Sequence, residues 1–186
     1  MALQAVIPIL SEQDYLDLEA HSQVRHEYVE GYIFAMSGTT KAHNQIAGNL
    51  YMLIRSHIRG TRCRAYIAEI KTRIQRKQSY YYPDVMVGCD PADRHSEYYL
   101  DRPCLLIEVL SDSTKHIDKR EKLLAYQTLA SVQEYVIVSQ TEPLVEVHRR
   151  HEQGQWSVDT YNTLAEKIYF RCIDLQVTMQ DIYEDV

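Results

Sequence analysis

The chain has 186 residues, a net charge of −6, and apolar and charged fractions close to those of average globular proteins. These values exclude a disordered or fibrous chain, and the length suits one compact domain, so we expect residues 1–186 to form a single domain. The excess of acids argues against nonspecific coating of nucleic acid, although it permits a local phosphate-binding surface.

The sequence contains no apolar run near the ~20 residues that are needed to cross a bilayer. Its first residues also lack a basic segment ahead of the apolar ones. We therefore expect a cytoplasmic protein without membrane association. The cysteines are far apart and form no CxxC pair, so we expect reduced thiols rather than a zinc site or disulfides. They are Cys63, Cys89, Cys104 and Cys172.

The first predicted elements are a short helix, a strand pair and a long helix. Ser11 can cap the short helix, with Asp14 at the capping-box spacing. Residues 24–35 read as a strand pair that turns at Gly31. From Thr40 to Ile58 the apolar residues recur at helical spacing.

The remaining elements are mostly strands. The apolar pattern predicts one strand over residues 63–75, a second over 80–88, disrupted just before Asp84, and a third over 103–110 that is buried on both faces. A helix from about Asp118 to Leu129, a strand at 134–139, a hairpin pairing 144–150 with 155–161, and a short helix capped by Thr178 follow. This order predicts an α/β (α+β) fold: a mixed sheet flanked by helices, with a C-terminal antiparallel hairpin.

Glu108 and Asp84 are acids inside apolar strands. An ionised carboxylate in such a position is costly unless it is paired or bound to a metal. Two carboxylates on neighbouring strands can hold one hard cation such as Mg²⁺ or Mn²⁺, which activates water and stabilises charge on a phosphate. The alternative for each acid alone is a buried ion pair or a frayed strand end.

A lysine could assist such a site from the helix after Glu108. Asp118, Lys122 and Tyr126 recur at every fourth residue and therefore share one helix face. Lys122 could orient the attacking water or offset phosphate charge, but spacing alone favours an ordinary surface pair with Asp118. Lys71, on the predicted strand 63–75, is the rival candidate.

Candidate substrate contacts come from several segments. Eight basic residues and one acid, Glu69, lie between Arg55 and Lys77, a basic stripe that could contact phosphates or form a solvated face. Glu27 is an early acid that could complete a metal shell, and His43 opens the long helix. Ser111 and Thr114 lie in the loop after Glu108 and could reach a phosphate or serve the turn. The basic residues are Arg55, Arg59, Arg62, Arg64, Lys71, Arg73, Arg76 and Lys77.

Four strings in this order, HEYVEG, YYPDVMV, LLIEVLSDST and DKREKLLAYQ, resemble the Uma-two family of restriction-endonuclease-like proteins in the PD-(D/E)XK nuclease superfamily. The resemblance spans Val24 to Val138. It implies a sandwiched mixed sheet, dependence on a divalent metal and a DNA substrate. By position, Asp84 matches the PD aspartate, Glu108 the first residue of the (D/E)XK element, Glu27 the early acid and His43 the helix-opening histidine.

The sequence departs from the superfamily pattern at Leu110, where the pattern has lysine. The resemblance implies that this lysine has moved to the following helix, as Lys122. Two functions compete: a metal-dependent endonuclease that cuts DNA, and a catalytically silent nucleic-acid-binding or regulatory module. A hydrolase that acts on something other than nucleic acid is a third alternative. The tail hairpin and the 15 tyrosines leave room for a homodimer interface.

Overall fold

A computed structural model of the chain describes residues 9–36, 38–110 and 118–186. Within these ranges the strands form sheets of five, six and two strands, which confirms the predicted mixed fold with few helices. Among the helices in these ranges, none has the length and apolar character that crossing a membrane requires.

The N-terminal elements form as predicted. Helix α1 (Glu12–His21) begins after Ser11, whose side chain completes the capping box with Asp14. Strands β1 (His26–Val29) and β2 (Tyr32–Ala35) form a hairpin that turns at Glu30 and Gly31, both at positive φ. They lie at one edge of the five-stranded sheet, ordered β2-β1-β5-β4-β7, with β4 at Lys71–Ile74, β5 at Ser79–Tyr81 and β7 at Tyr99–Leu100.

The six-stranded sheet contains the strand that carries Glu108. Strands β8 (Pro103–Leu110) and β9 (Glu134–Ser139) run parallel, so the connection between them is a crossover. The other neighbours in this sheet are antiparallel. Its order is β11-β10-β9-β8-β6-β3, with β3 at Arg64–Ile67, β6 at Val85–Gly88, β10 at Val145–Arg150 and β11 at Trp156–Tyr161; β10 and β11 form the predicted hairpin.

Two predicted strands are each divided between the two sheets. Residues 63–75 form β3 in the larger sheet and β4 in the smaller one, because the chain crosses over at Ala68, which has a φ of 55°. Residues 80–88 divide into β5 and β6 around Pro83 and Asp84, where a break was predicted. The two crossings are joined by a hydrogen bond of 3.0 Å from the Ala68 amide to the Asp84 carbonyl.

The larger sheet is covered on both faces. Helix α2 (Lys41–His57), whose N-cap is Thr40, packs on one face together with a second hairpin that the sequence analysis missed. The smaller sheet and α3 (Leu123–Tyr126) cover the other face, on which Leu106 and Leu110 lie. Glu108 therefore points toward Tyr126, since side chains alternate along β8. A π-helical turn, Asp118–Lys122, precedes α3. The second hairpin consists of β12 (Lys167–Phe170) and β13 (Leu175–Thr178), and the helix that follows it, α4 (Met179–Ile182), is capped by Thr178 as predicted.

The cysteines correct the prediction of reduced thiols. Cys63 and Cys89 form a disulfide. Arg64 of β3 pairs with Gly88 of β6 in an antiparallel ladder. The residue before Arg64, Cys63, therefore lies opposite the residue after Gly88, Cys89. A register of this kind depends on which strands pair, and the spacing of cysteines in the sequence does not reveal it.

Candidate active site

Asp84 lies at the corner between β5 and β6. Its Oδ2 accepts a hydrogen bond of 2.7 Å from the Val109 amide and lies 3.2 Å from His43 Nε2. His43 stands in the first turn of α2, and its amide donates to the Thr40 hydroxyl. The break at Pro83 therefore places the Asp84 carboxylate beside the residue that follows Glu108, with an imidazole against it.

Lys122 joins Glu27 and Glu108. Its Nζ lies 2.8 Å from Glu27 Oε1 and 3.1 Å from Glu108 Oε1. Lys122 is 4% exposed and Glu108 is 3% exposed, so this contact is shielded from water. Glu27 Oε1 also accepts a 3.3 Å hydrogen bond from the Tyr82 amide. Strand β1 of the five-stranded sheet, strand β8 of the six-stranded sheet and the segment between β8 and β9 thus bring one ammonium and two carboxylates together.

Two tyrosines complete the cluster. The Tyr126 hydroxyl donates to Glu108 Oε1 at 2.9 Å, and the Lys122 ammonium lies 5.7 Å from the centre of the Tyr81 ring. Burial, followed by the charge of Glu108, raises the pKa of Tyr126 well above its usual value, so its hydroxyl stays a donor. Burial, followed by the charge of Glu27, raises the pKa of Tyr81 to about 12.

A metal at this site would be held by few side chains. In the described part of the chain, no three His, Cys, Asp or Glu side chains form a group that could ligate one ion. Mg²⁺ is commonly bound by one or two carboxylates, with water and phosphate oxygens completing its shell. Asp84 and Glu108 fit this minimal donor set, and the acids of the cluster outnumber its ammonium.

Lys71 and Arg73 lie outside this cluster. Lys71 is buried, with its ammonium 5.8 Å from the centre of the Tyr15 ring and 5.4 Å from that of Tyr82, and burial lowers its pKa. Arg73 makes two hydrogen bonds, of 2.7 and 3.0 Å, to the Asp101 carboxylate. A substrate-binding role for either stays a prediction that these contacts do not support. Of the two rival lysines, the structure brings Lys122 to Glu108.

The rest of the predicted site is dispersed or undescribed. The basic stripe from Arg55 to Lys77 is dispersed over several elements: Arg55 lies in α2, Arg64 lies in β3 of the six-stranded sheet, and Lys71 and Arg73 lie in β4 of the five-stranded sheet. Ser111 and Thr114 lie outside the described residues, and so does the side chain of Asp118.

The sequence analysis missed the hydrogen bond from Tyr126 to Glu108. The signal was present, since Tyr126 stands four residues after Lys122 and shares its helix face. It also missed the packing of Tyr81 against Lys122, for which the sequence offers no local signal.

Comparisons with known proteins show the family and the fold of the chain. Two relatives from Synechocystis sp. are "Uncharacterized protein slr1290", 34% identical over 96% of this chain and 94% of its own length, and "Uncharacterized protein sll1609", 30% identical over 84% and 89%. A crystal structure described as "a putative nuclease belonging to DUF820 from Anabaena variabilis" has the same fold, with a TM-score of 0.77, 19% identity, and coverage of 94% of this chain and 97% of that one. The model of the Uma2 family, described as "Putative restriction endonuclease", matches residues 12–180, and the chain belongs to this family.

Proposed function

We propose that this protein is a metal-dependent endonuclease that hydrolyses phosphodiester bonds in DNA. The observation that carries the proposal is the position of the Lys122 ammonium, 2.8 Å from Glu27 and 3.1 Å from Glu108, at the strand ends that also hold Asp84. Carboxylates for a cation, together with a lysine for phosphate charge, are the groups that phosphoryl transfer to water requires.

Each residue of the cluster has a separate role in this proposal. Asp84 and Glu108 would hold Mg²⁺ or Mn²⁺, which makes bound water a better nucleophile and neutralises phosphate charge. His43 holds the Asp84 carboxylate in place through their 3.2 Å contact. Lys122 would donate to a phosphate oxygen or to the attacking water. Glu27 would keep the Lys122 ammonium at that position, while Tyr126 fixes Glu108.

Exposed aromatic side chains beside the cluster support a nucleic acid as the substrate. Phe34 pairs with Glu27 across β1 and β2, so the two side chains lie on the same face of the sheet. Tyr32, two residues earlier, lies on that face as well. Phe34 is 54% exposed and Tyr32 is 46% exposed. Aromatic side chains at such positions can stack on unpaired bases.

A catalytically silent nucleic-acid-binding or regulatory module is the second candidate. One observation favours it: Lys122 already pairs with Glu27 and Glu108 and so supplies the positive charge that a metal would bring. Such a module would bind DNA beside the same cluster of residues without cutting it.

Cleavage of end-labelled DNA by the full chain, with Mg²⁺ or Mn²⁺ and with a chelator, tests the proposal. We expect metal-dependent cleavage that is lost in Asp84→Asn, Glu108→Gln and Lys122→Ala. The control is Lys167→Ala, which changes an exposed lysine of β12 and should cut like the wild type. If no DNA is cut with either metal while binding persists, the regulatory module replaces the enzyme. If Lys122→Ala cuts normally, the lysine has another role.

Two further predictions concern the whole protein. We infer that it acts in the cytoplasm and associates as a homodimer, and sedimentation of the purified chain tests the second point. A species with the mass of one chain at micromolar concentration would contradict the dimer.

A further inference from the structure

Three sulfur atoms lie together at the end of the larger sheet, away from the proposed active site. Cys63 and Cys89 form the disulfide between β3 and β6, and both residues are half-buried. Cys104 is a free cysteine in β8, and its Sγ lies 3.7 Å from Cys89 Sγ. A thiol in van der Waals contact with a disulfide sulfur is in position to attack it.

An irregularity in β8 creates this contact. The register between β6 and β8 shifts between Val87 and Gly88, and Cys104 falls between Pro103 and Leu105, which are the residues paired there. The third sulfur is therefore brought to the disulfide by the strand pairing itself.

A cavity of about 400 Å³ borders two of the three cysteines. Cys89 and Cys104 line it, together with Arg62, Asp90 and Arg102. Arg102 is held by Asp90 at 3.1 Å. Arg62, which also lines the cavity, precedes Cys63 in the chain.

Cys172 also contacts Cys104. Its hydrogen bond with Cys104, and then its burial, raise the pKa of the Cys172 thiol well above the usual value. Cys104 is the thiol that lies 3.7 Å from Cys89 Sγ, so Cys104 is the candidate for the attack.

We propose that Cys63, Cys89 and Cys104 form a thiol–disulfide exchange site. The Cys104 thiolate attacks Cys89 Sγ and a bond forms between these two sulfurs. The bond between Cys63 and Cys89 breaks, its electron pair passes to Cys63 Sγ, and Cys63 takes up a proton equivalent to the one that Cys104 released. One disulfide and one thiol exist before and after the step, so neither an oxidant nor a reductant is needed.

The exchange moves a covalent link between strands. Before it, the disulfide joins β3 to β6; after it, the disulfide joins β6 to β8. Asp84 directly precedes β6, and Glu108 lies within β8. The exchange would thus tie together the two strands on which the proposed metal site depends. This consequence rests on the proposed function, whereas the exchange itself does not.

Disulfide mapping of the full chain tests the exchange without any assay of nuclease activity. The protein, purified without reductant, is held at about pH 8.5, near the ordinary pKa of a thiol, then quenched in acid, alkylated, digested and analysed by mass spectrometry. We expect linked peptides of both kinds, Cys63–Cys89 and Cys89–Cys104, in the wild type. Cys104→Ser should retain only Cys63–Cys89, which also reports that its strands still pair.

Cys172→Ser is the matched control and should retain both linkages. A wild type that yields only Cys63–Cys89 after prolonged incubation would overturn the proposal, and so would a wild type with no linked peptide. If Cys172→Ser retains the Cys63–Cys89 linkage but no longer forms Cys89–Cys104, then the exchange depends on Cys172 rather than on Cys104 alone. That result would overturn the proposal as well.

Discussion

Replacing Lys122 by methionine removes the positive charge between Glu27 and Glu108 and keeps most of the side-chain volume. Lys122 is 4% exposed and Glu108 is 3% exposed, so water cannot replace the lost partner. Removing one member of a buried ion pair typically costs about 3–5 kcal/mol. We expect a loss of this size in the free energy of unfolding, which is a large part of the roughly 5–15 kcal/mol that holds a typical domain folded.

Urea unfolding with and without Mg²⁺ measures both this loss and its cause. If Asp84 and Glu108 bind a cation, Mg²⁺ should stabilise Lys122→Met more than the wild type, by up to about 2.7 kcal/mol at 100 times the dissociation constant. Adding Glu108→Gln to Lys122→Met should restore part of the stability and remove the response to Mg²⁺. The double variant also keeps the experiment informative if Lys122→Met alone does not fold.

Arg149→Met is the matched control. Arg149 is 3% exposed and pairs with Glu134, which is 1% exposed, away from the proposed site. This variant should also lose stability, but Mg²⁺ should not restore it. Equal rescue of both variants would show that Mg²⁺ acts nonspecifically, and an unchanged stability of Lys122→Met would refute the buried ion pairs themselves.

Three further changes test neighbouring contacts. Tyr126→Phe removes a hydrogen bond to Glu108 and should cost about 1.5–3 kcal/mol in urea unfolding; no loss would exclude a strong bond. Phe34→Ala should weaken binding of fluorescent single-stranded DNA about 5- to 100-fold, whereas Tyr98→Ala, which changes a 66% exposed residue near the opposite edge of the sheet, should not. Burial raises the pKa of Tyr81 to about 12 in the folded protein, above the ordinary value of ~10. The stability that Tyr81 contributes is therefore complete below pH ~10 and is lost as the pH rises from ~10 through the folded pKa. Tyr81→Phe should lose less stability over this range of pH.

The elements that carry the site were predictable because their signals are local. A nearly continuous apolar run identified β8 as a buried strand, and an acid inside it marked Glu108. Pro83 indicated the break before Asp84. The choice between Lys122 and Lys71 stayed open in the sequence, where only the family resemblance, with Leu110 in the usual place of the lysine, favoured Lys122.

The features that were not predicted depend on contacts between distant segments. Side-chain character alternates in the same way on both sides of the crossing in residues 63–75. The crossing residue, Ala68, is not a glycine although its φ is positive, so the sequence does not indicate the crossing. The disulfide depends on the register of β3 and β6. Lys71 was assigned to a phosphate-binding stripe, but α1 folds over it and places Tyr15 against its ammonium.

A crystal structure of the protein soaked with Mn²⁺ tests the central claim most directly. The account predicts one ion with oxygens of both Asp84 and Glu108 within ~2.0–2.6 Å, the range for hard cations with oxygen ligands. The Lys122 ammonium should then shift from the Glu108 carboxylate. Crystals soaked at saturating Mn²⁺ that show no ion at these carboxylates, with Lys122 still paired to both Glu27 and Glu108, would contradict a metal-dependent nuclease at this site.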